Sequence, residues 1–179
     1  MLMDPFATLG LPRQYDLDKA ALDRRYRDLQ QTLHPDRHAS APPAERAVTL
    51  QKAVGVNEAY RVLRDDLKRG EALLALLGGR VDTQTADPEL LMEMMELREA
   101  LTEARAAGDA TEVARLAAQV EQKAVAARQE LTSTFAALPT AGPASAETAL
   151  ATAQGLLGRL RYYRRFQDEV TQFEDEALA

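Results

Sequence analysis

The side chains of this sequence that are able to do chemistry gather in one proline-rich segment. His34, Asp36 and His38 lie within five consecutive residues, and Pro35 stands between the first two. Imidazole and carboxylate groups at this spacing are typical of acid–base pairs and of metal sites. Pro35 disfavours a helix that would turn both histidines to one face, and it fixes the local backbone instead. We interpret the segment either as a rigid, exposed recognition loop or as a metal or acid–base site.

Most enzyme chemistries are excluded by what the sequence lacks. It contains no cysteine, which rules out disulfides, thiolate nucleophiles and cysteine-ligated zinc or iron–sulfur clusters. Gly-rich phosphate loops, nucleophile elbows and H-E-x-x-H motifs are also absent from the sequence. We therefore expect a protein that is not itself an enzyme and that needs no cofactor and no metal.

The composition favours an all-α fold. Among 179 residues, 33 are alanine, whereas glycine and proline number only 9 and 8 and concentrate at the joints between predicted helices. Residues 1–80 carry 13 basic and 11 acidic groups, and residues 81–179 carry 9 and 17. This uneven charge suggests two domains, neither basic enough to favour nucleic acid. No apolar run approaches the roughly 18 residues of a membrane span, and we expect a cytoplasmic protein.

Residues that typically begin and end helices predict the N-terminal elements. Asp4 and Pro5 begin a short helix that Gly10 ends, and a second helix begins at Asp18 and ends before Pro35. The predicted buried positions of the second helix are Leu22, Tyr26, Leu29 and Leu33. Those of a third helix, residues 44–64, are Ala47, Leu50, Val54 and Leu63, and those of a fourth, from Asp66, are Leu67, Leu73, Leu74 and Leu77.

Three long helices with heptad spacing are predicted after residue 86. Asp87 and Pro88 begin the first, Gly108 ends it, and Asp109 with Glu112 begins the second in a capping-box pattern. The predicted buried positions are Leu90, Met94, Leu97, Leu101 and Ala104 in the first, Val113, Leu116, Val120, Ala124, Ala127, Leu131 and Phe135 in the second, and Leu156, Leu160, Tyr163, Val170 and Phe173 in the last. Short connections between such helices indicate an antiparallel three-helix bundle.

The proline-rich segment and its neighbours resemble the J-domain of DnaJ-type co-chaperones. His34-Pro35-Asp36 is preceded by Tyr26-Arg27-x-Leu29 and followed by Val56-Asn57-Glu58-Ala59-Tyr60-Arg61-Val62-Leu63. The resemblance covers about residues 4–76 and implies docking onto a DnaK-type chaperone ATPase, with stimulation of its ATP hydrolysis. The contact residues that we assign to this surface are His34, Pro35, Asp36, Arg24, Arg27 and Gln31. Asp23 and Asp28 stand where general J-domains are often basic, which favours a dedicated chaperone.

One helix face of the predicted bundle is not explained by packing. At about 100° per residue, Leu91, Met92 and Met95 fall away from the buried positions. Three carboxylates, Glu96, Glu99 and Glu103, share that side. Adaptable methionines with a carboxylate rim suit a partner with an apolar centre and basic edges. The alternatives are that this face packs under the N-terminal domain or is simply solvated.

The stretch Leu91-Met92-Glu93-Met94-Met95-Glu96-Leu97-Arg98-Glu99, following the first domain, resembles the HscB family of iron–sulfur cluster co-chaperones. The likeness covers the whole chain and implies an L-shaped molecule with a J-domain at residues 1–76, a linker at 77–86 and a three-helix bundle at 87–179. It implies that the bundle binds the cluster scaffold protein IscU and delivers it to the specialised chaperone HscA. The scaffold-binding residues that it implies are Leu91, Met92, Met95, Glu96, Glu99, Glu103 and Tyr162.

Two positions depart from the family pattern, and one competing interpretation stays open. Met95 stands where a leucine is expected and Tyr162 where a phenylalanine is expected, so the surface stays apolar. The competing interpretation is a general J-domain co-chaperone whose bundle mediates dimerisation or client binding. Burial of the face between Leu91 and Glu103 would favour that alternative.

Overall fold

The computed structural model describes residues 4–38, 40, 42–81 and 87–177 of the chain. These residues form helices and connecting turns, with no strand among them, so the prediction of an all-α fold is confirmed. The chain divides into two compact units, Met1–Gly78 and Gly79–Ala179. Residues 82–86 of the expected linker lie outside the described part. None of the helices described is both long enough and apolar enough to cross a membrane.

The first unit is built around a helical hairpin. Its helices are α1 (Pro5–Leu9), α2 (Lys19–Thr32), α3 (Pro43–Arg64) and α4 (Asp66–Leu76). A single turn of 3₁₀ helix, Pro35–His38, stands between α2 and α3 where an irregular loop was expected. Helices α2 and α3 pack against each other, and α1 packs on both. The core includes the buried side chains Phe6, Leu9, Leu22, Val56, Ala59 and Leu63.

The helix cap predicted at Asp4 is formed. Its Oδ1 accepts hydrogen bonds from the N–H groups of Phe6 and Ala7 at 3.0 and 3.1 Å, and its Oδ2 pairs with Arg13 at 2.6 Å. Burial alone would raise the pKa of Asp4, but the bonds from Ala7 and Arg13 and the Arg13 charge outweigh it, so that the pKa is lowered. Gly10 ends α1 at φ 64°, where a glycine is unstrained.

The buried face of α3 differs from the predicted one. The predicted stripe through Ala47, Leu50 and Val54 is exposed, to 64% at Leu50 and 56% at Val54. The side chains that α3 buries are Val56, Ala59 and Leu63. At about 100° per residue, Val54 and Leu63 are half a turn out of phase, so both cannot face one core. Apolar residues lie on two sides of α3, and the prediction joined the two sides into one stripe.

Helix α4 is anchored by a buried arginine that the sequence patterns did not reveal. Arg69 Nε donates to the Tyr15 carbonyl at 2.7 Å, and its Nη1 donates to the Leu63 carbonyl at 2.6 Å. The guanidinium also lies 5.1 Å from the centre of the Tyr15 ring. These contacts join α4 to the end of α3 and to the segment before α2. Leu77, predicted to be buried, follows the last residue of α4 and is 41% exposed.

The second unit is a bundle of α5 (Pro88–Ala107), α6 (Ala110–Ala137) and α7 (Pro143–Ala177). Every position predicted to be buried in α5 and α6 is buried. Asp109 caps α6 by accepting the Glu112 N–H at 3.0 Å, but the Glu112 carboxylate binds Arg115, so only half of the capping box forms. In α7, Phe166 is fully buried although it was not predicted, and Phe173 is half-buried.

Ion pairs between the helices show how the bundle is arranged. Asp87 pairs with Arg159 at 3.2 Å near the start of α5, and Arg98 pairs with Glu169 farther along, so α5 and α7 run parallel. The chain reverses at Gly108, which has φ 67°, and again at a short 3₁₀ turn, Leu138–Thr140. Helix α6 packs against both other helices and runs antiparallel to them.

Candidate functional site

His34, Pro35 and Asp36 form the tip of the α2–α3 hairpin. Their side chains face solvent, since 58% of the imidazole and 90% of the Asp36 side chain are accessible. The Asp36 N–H donates to His34 Nδ1 at 3.3 Å, and the Arg37 N–H donates to the His34 carbonyl at 3.1 Å. The Asp36 carboxylate oxygen Oδ2 lies 3.5 Å from the same Nδ1. The tip therefore presents an imidazole and a carboxylate in a fixed local arrangement.

The alternative of a metal site gains no support from the part of the chain that the structure describes. Those residues include no group of three or more histidine, aspartate or glutamate side chains that could hold a metal ion. His34 and Asp36 are open to solvent, where a charge pair contributes little. The side chain of His38, the second predicted histidine, lies outside the described side chains.

A pair of stacked tyrosines holds the hairpin that presents this tip. The rings of Tyr26 and Tyr60 lie 3.9 Å apart at an angle of 9°. The Tyr60 hydroxyl donates to Asp23 at 2.8 Å, and the Tyr26 hydroxyl donates to Asn57 at 2.9 Å. The bond to Asp23, together with burial, raises the pKa of Tyr60. Asp23 thus has a structural partner in Tyr60.

Gln30 belongs to the same network, although the sequence analysis did not single it out. Its Nε2 donates to the Tyr26 hydroxyl at 2.7 Å and to Asn57 Oδ1 at 2.5 Å. Gln30 and Asn57 line a cleft of about 190 Å³ that extends to His34 and Pro35. Gln30 and Asn57 are 27 residues apart, so no local sequence pattern connects them. The available sign of this network in the sequence was a polar residue, Asn57, between the buried residues Val56 and Ala59.

The predicted α2 contact residues share one exposed face. Arg24, Arg27 and Gln31 are three and four residues apart, which places them on one side of the helix. Arg24 lies 3.7 Å from Asp18, and Arg27 Nε donates to the Asp23 carbonyl at 3.2 Å. All three side chains remain exposed. They form a partly basic stripe, here called the α2 stripe, that ends one turn before His34.

The outward face of α5 is apolar and acidic. Met92 and Met95 are 65% and 70% exposed, and Leu91 is 40% exposed. Glu96, Glu99 and Glu103 are also exposed, and none of them pairs with a cation in the described part of the chain. An exposed apolar cluster with an uncompensated acidic rim is typical of a protein-binding surface. We call these six residues the α5 face.

Tyr162, the α7 residue assigned to the scaffold-binding surface, is half-buried. The guanidinium of Arg165 lies 5.8 Å from the centre of its ring. Tyr162 follows Arg159 by three residues, on the edge of α7 that pairs with Asp87 of α5. Because α5 and α7 run parallel, Tyr162 is level with the first turn of α5, where Leu91 lies. The register of α5 against α7 therefore places Leu91 and Tyr162 along the same edge of the two helices.

The edges of α5 are fixed by ion pairs with both neighbours. Lys123 Nζ of α6 lies 2.5 Å from Glu93 on one side, and Arg98 pairs with Glu169 of α7 on the other. The hydrogen bond that Lys123 donates to Glu93 raises the pKa of Lys123. These contacts hold the helix rotated so that Met92 and Met95 face away from both neighbours.

Comparison with known proteins identifies both units. Residues 4–71 match the DnaJ domain, and residues 86–171 match the family described as HSCB C-terminal oligomerisation domain. The co-chaperone protein HscB homolog of Azoarcus sp. (strain BH72) is 40% identical over 98% of this chain and 93% of its own length. The homolog from Shewanella oneidensis is 34% identical over 98% of this chain and 99% of its own length.

Solved structures agree with this assignment. The chaperone HscB from Vibrio cholerae is 31% identical and matches 97% of this chain and 99% of its own, with a TM-score of 0.77. The human co-chaperone protein HscB is 25% identical and matches 96% of this chain and 82% of its own, with a TM-score of 0.83. A co-chaperone regulates a chaperone, and the chaperone carries out the ATP hydrolysis, so this family consists of regulators of a catalyst. On these grounds the chain belongs to the HscB family of J-domain co-chaperones.

Proposed function

We propose that this protein docks onto a DnaK-type chaperone ATPase of the HscA type and stimulates its ATP hydrolysis. The contact surface consists of His34, Pro35 and Asp36 at the tip, together with Arg24, Arg27 and Gln31 of the α2 stripe. The exposed tip, held by the stack of Tyr26 and Tyr60, is the observation that carries the proposal. The basic stripe accelerates encounter with an acidic chaperone surface, because opposite charges raise association rates.

The bundle supplies the second contact in this proposal. Leu91, Met92 and Met95 form the apolar centre of a surface for an iron–sulfur cluster scaffold protein of the IscU type. Its rim consists of Glu96, Glu99, Glu103 and Tyr162. A chain without cysteine has no thiolate ligands for the cluster, so the cluster stays with the scaffold as cargo. The protein acts as a cytoplasmic adaptor, in which linking two contacts raises the effective concentration of scaffold at the chaperone.

The proposal is tested by comparing two ATPases. Steady-state ATP hydrolysis is measured for the HscA-type chaperone and for the general DnaK-type chaperone of the same organism, each titrated with this protein. We expect stimulation of the HscA-type enzyme at lower protein concentration. Stimulation of only the general enzyme would contradict the dedicated partnership, and stimulation of neither would contradict the docking role.

The description of the matched family as an oligomerisation domain favours a second candidate. In that candidate the protein is a general J-domain co-chaperone, and the α5 face joins two copies or binds a client. Light scattering at micromolar concentration separates the two candidates. A monomer favours the adaptor, whereas a dimer that Met92→Asp with Met95→Asp dissociates favours the second candidate.

A further inference from the structure

We infer that Met92 and Met95 are sites of reversible oxidation, and that their sulfoxides weaken the hold of the α5 face on the scaffold protein. The oxidant is a hydroperoxide, and the product at each residue is methionine sulfoxide. The inference rests on the proposed scaffold binding, because it names a modification that regulates the same surface.

Exposure divides the methionines of α5 into two kinds. The sequence contains five methionines, and three of them lie within four consecutive residues of this helix. Met92 and Met95 are 65% and 70% exposed, whereas Met94 is 3% exposed in the core of the bundle. A dissolved oxidant reaches an exposed thioether far more readily than a buried one. Met92 and Met95 are therefore open to oxidation, and Met94 is shielded from it.

The composition of the chain directs oxidation to these thioethers. The sequence has no cysteine, so no thiol of this chain consumes the hydroperoxide first. Met95 also stands where a leucine is expected. Leucine would fill a similar volume with a similar hydrophobic surface, but it has no sulfur to oxidise. The methionine thus adds a chemical sensitivity that packing against a partner does not require.

The reaction transfers one oxygen atom and two electrons. A lone pair of the thioether sulfur attacks the terminal oxygen of the hydroperoxide, so that an S–O bond forms while the O–O bond breaks. The sulfur is oxidised and the peroxide is reduced. The proton of the transferred hydroxyl passes to the leaving oxygen, which departs as water or an alcohol. Methionine sulfoxide reductases reverse the change, with one type of enzyme for each epimer of the sulfoxide.

Oxidation changes the surface at the point where the scaffold protein would bind. A sulfoxide puts a polar oxygen into the apolar centre that Leu91, Met92 and Met95 form. Burying this oxygen against an apolar partner removes the water that it binds when exposed, which costs binding free energy. The exposed carboxylates of the same face, among them Glu96 and Glu99, accept hydrogen bonds when ionised and cannot donate one to the sulfoxide.

The bundle itself should tolerate oxidation at these two positions. Met92 and Met95 face away from both neighbouring helices, and the ion pairs that fix the rotation of α5 involve other side chains. A sulfoxide at Met94 would instead place a polar group inside the core and disturb its packing. The exposed pair can therefore respond to an oxidant while the fold persists.

The test compares the full chain before and after treatment with hydrogen peroxide. Peptide mass spectrometry should find one added oxygen on Met92 and on Met95 before Met94 reacts. Titration calorimetry with the IscU-type scaffold protein should then give a Kd about tenfold higher, the scale of burying one unsatisfied polar group. Both types of methionine sulfoxide reductase together should restore the affinity. Thermal unfolding should be the same before and after treatment.

Met92→Leu combined with Met95→Leu is the matched control. This variant keeps apolar side chains of similar volume on the α5 face, and it retains Met94 and the two methionines near the N-terminus, Met1 and Met3. It should bind the scaffold protein as the untreated wild type does, and peroxide should leave its affinity unchanged.

Three results would overturn the inference. The first is an unchanged Kd when mass spectrometry shows sulfoxide at both Met92 and Met95. The second is an equal loss of affinity in the leucine variant, which would assign the effect to another residue. The third is a loss of thermal stability together with oxidation of Met94, which would show that peroxide acts by unfolding the bundle. Failure of the untreated protein to bind the scaffold protein would overturn the proposed function itself.

Discussion

The His34 side chain is exposed and makes few contacts within the protein, which indicates a role in recognition and not in stability. Its imidazole is 58% accessible, and its Nδ1 contacts Asp36 of the same turn, at 3.3 Å from the N–H nitrogen and 3.5 Å from the carboxylate. We predict that His34→Gln changes the free energy of unfolding by less than about 0.5 kcal/mol, as expected for an exposed side chain. The same variant should lose stimulation of the chaperone ATPase. Urea unfolding and steady-state ATP hydrolysis check the two parts, and a folded variant that still stimulates would contradict the account.

Asp4 makes the stability of the first unit depend on pH. Its folded pKa lies below the ordinary value of 3.8, because hydrogen bonds and Arg13 outweigh burial. A lowered folded pKa means that the carboxylate stabilises the fold fully above the unfolded pKa, and that this contribution is lost as pH falls through the folded pKa. Asp4→Asn keeps an oxygen for the helix cap but removes the charge, and we predict that it costs roughly 0.3–1 kcal/mol at neutral pH, the usual scale of a charge at a helix N-terminus. The loss should shrink in acid.

Urea unfolding of wild type and Asp4→Asn at neutral pH and again below the pKa of Asp4 measures this dependence. Arg13→Gln serves as a second variant, since it removes the ion pair at 2.6 Å and leaves the backbone cap in place. It should show a smaller pH-dependent loss than Asp4→Asn. A difference between wild type and Asp4→Asn that is the same at both pH values would show that the Asp4 charge does not stabilise the unit.

At the scale of elements, α4 depends on one buried cation. Arg69 is 7% exposed, and its guanidinium satisfies the carbonyls of Tyr15 and Leu63. Arg69→Ala would leave both acceptors without this donor, and we predict a loss of about 2–4 kcal/mol in the free energy of unfolding. Lys68→Ala, at the exposed neighbouring position, is the matched control. A loss in urea unfolding no larger than that of the control would contradict this role for Arg69.

Substitutions in the apolar centre of the α5 face should weaken binding without lowering the stability of the bundle. Replacing Leu91, Met92 and Met95 together by alanine removes the apolar centre, and scaffold binding should weaken by several kcal/mol, roughly the loss of an anchor cluster. The bundle should keep its thermal stability because these side chains are exposed. Val125→Ala is the control, since Val125 is 40% exposed on α6. Titration calorimetry with the scaffold protein gives the affinities, and a triple variant with wild-type affinity would move the site elsewhere.

The elements differ in how well the sequence predicts them, for physical reasons. In α5 and α6 the buried apolar residues follow an unbroken heptad pattern, which identifies the buried faces although α5 also carries apolar side chains on its outward face. Helix α3 carries apolar residues on two sides, and periodicity alone could not tell that Leu63 faces the core while Leu50 and Val54 do not. The contact between Asp23 and Tyr60 also escaped prediction, because it joins residues 37 positions apart.

At the scale of the whole molecule, two surfaces of different character occur in one chain. The first unit presents a polar tip and a partly basic α2 stripe, and the second presents an apolar and acidic face. The motif around His34 and the pattern around Met95 suggested both surfaces from sequence, because each depends on local spacing. The half-burial of Tyr162 and its place on the same edge as Leu91 required the register of α5 against α7, which short-range patterns do not contain.

The central claim is that this protein couples a scaffold protein to a chaperone ATPase. The most direct measurement is steady-state ATP hydrolysis by the HscA-type chaperone with this protein, with the scaffold protein, and with both. The account predicts that the two proteins together stimulate more than the sum of their separate effects, because the linked contacts act as one. Replacing Leu91, Met92 and Met95 by alanine should reduce the combined stimulation to the sum of the two separate effects. Stimulation by this protein that does not change when the scaffold protein is added would contradict the account.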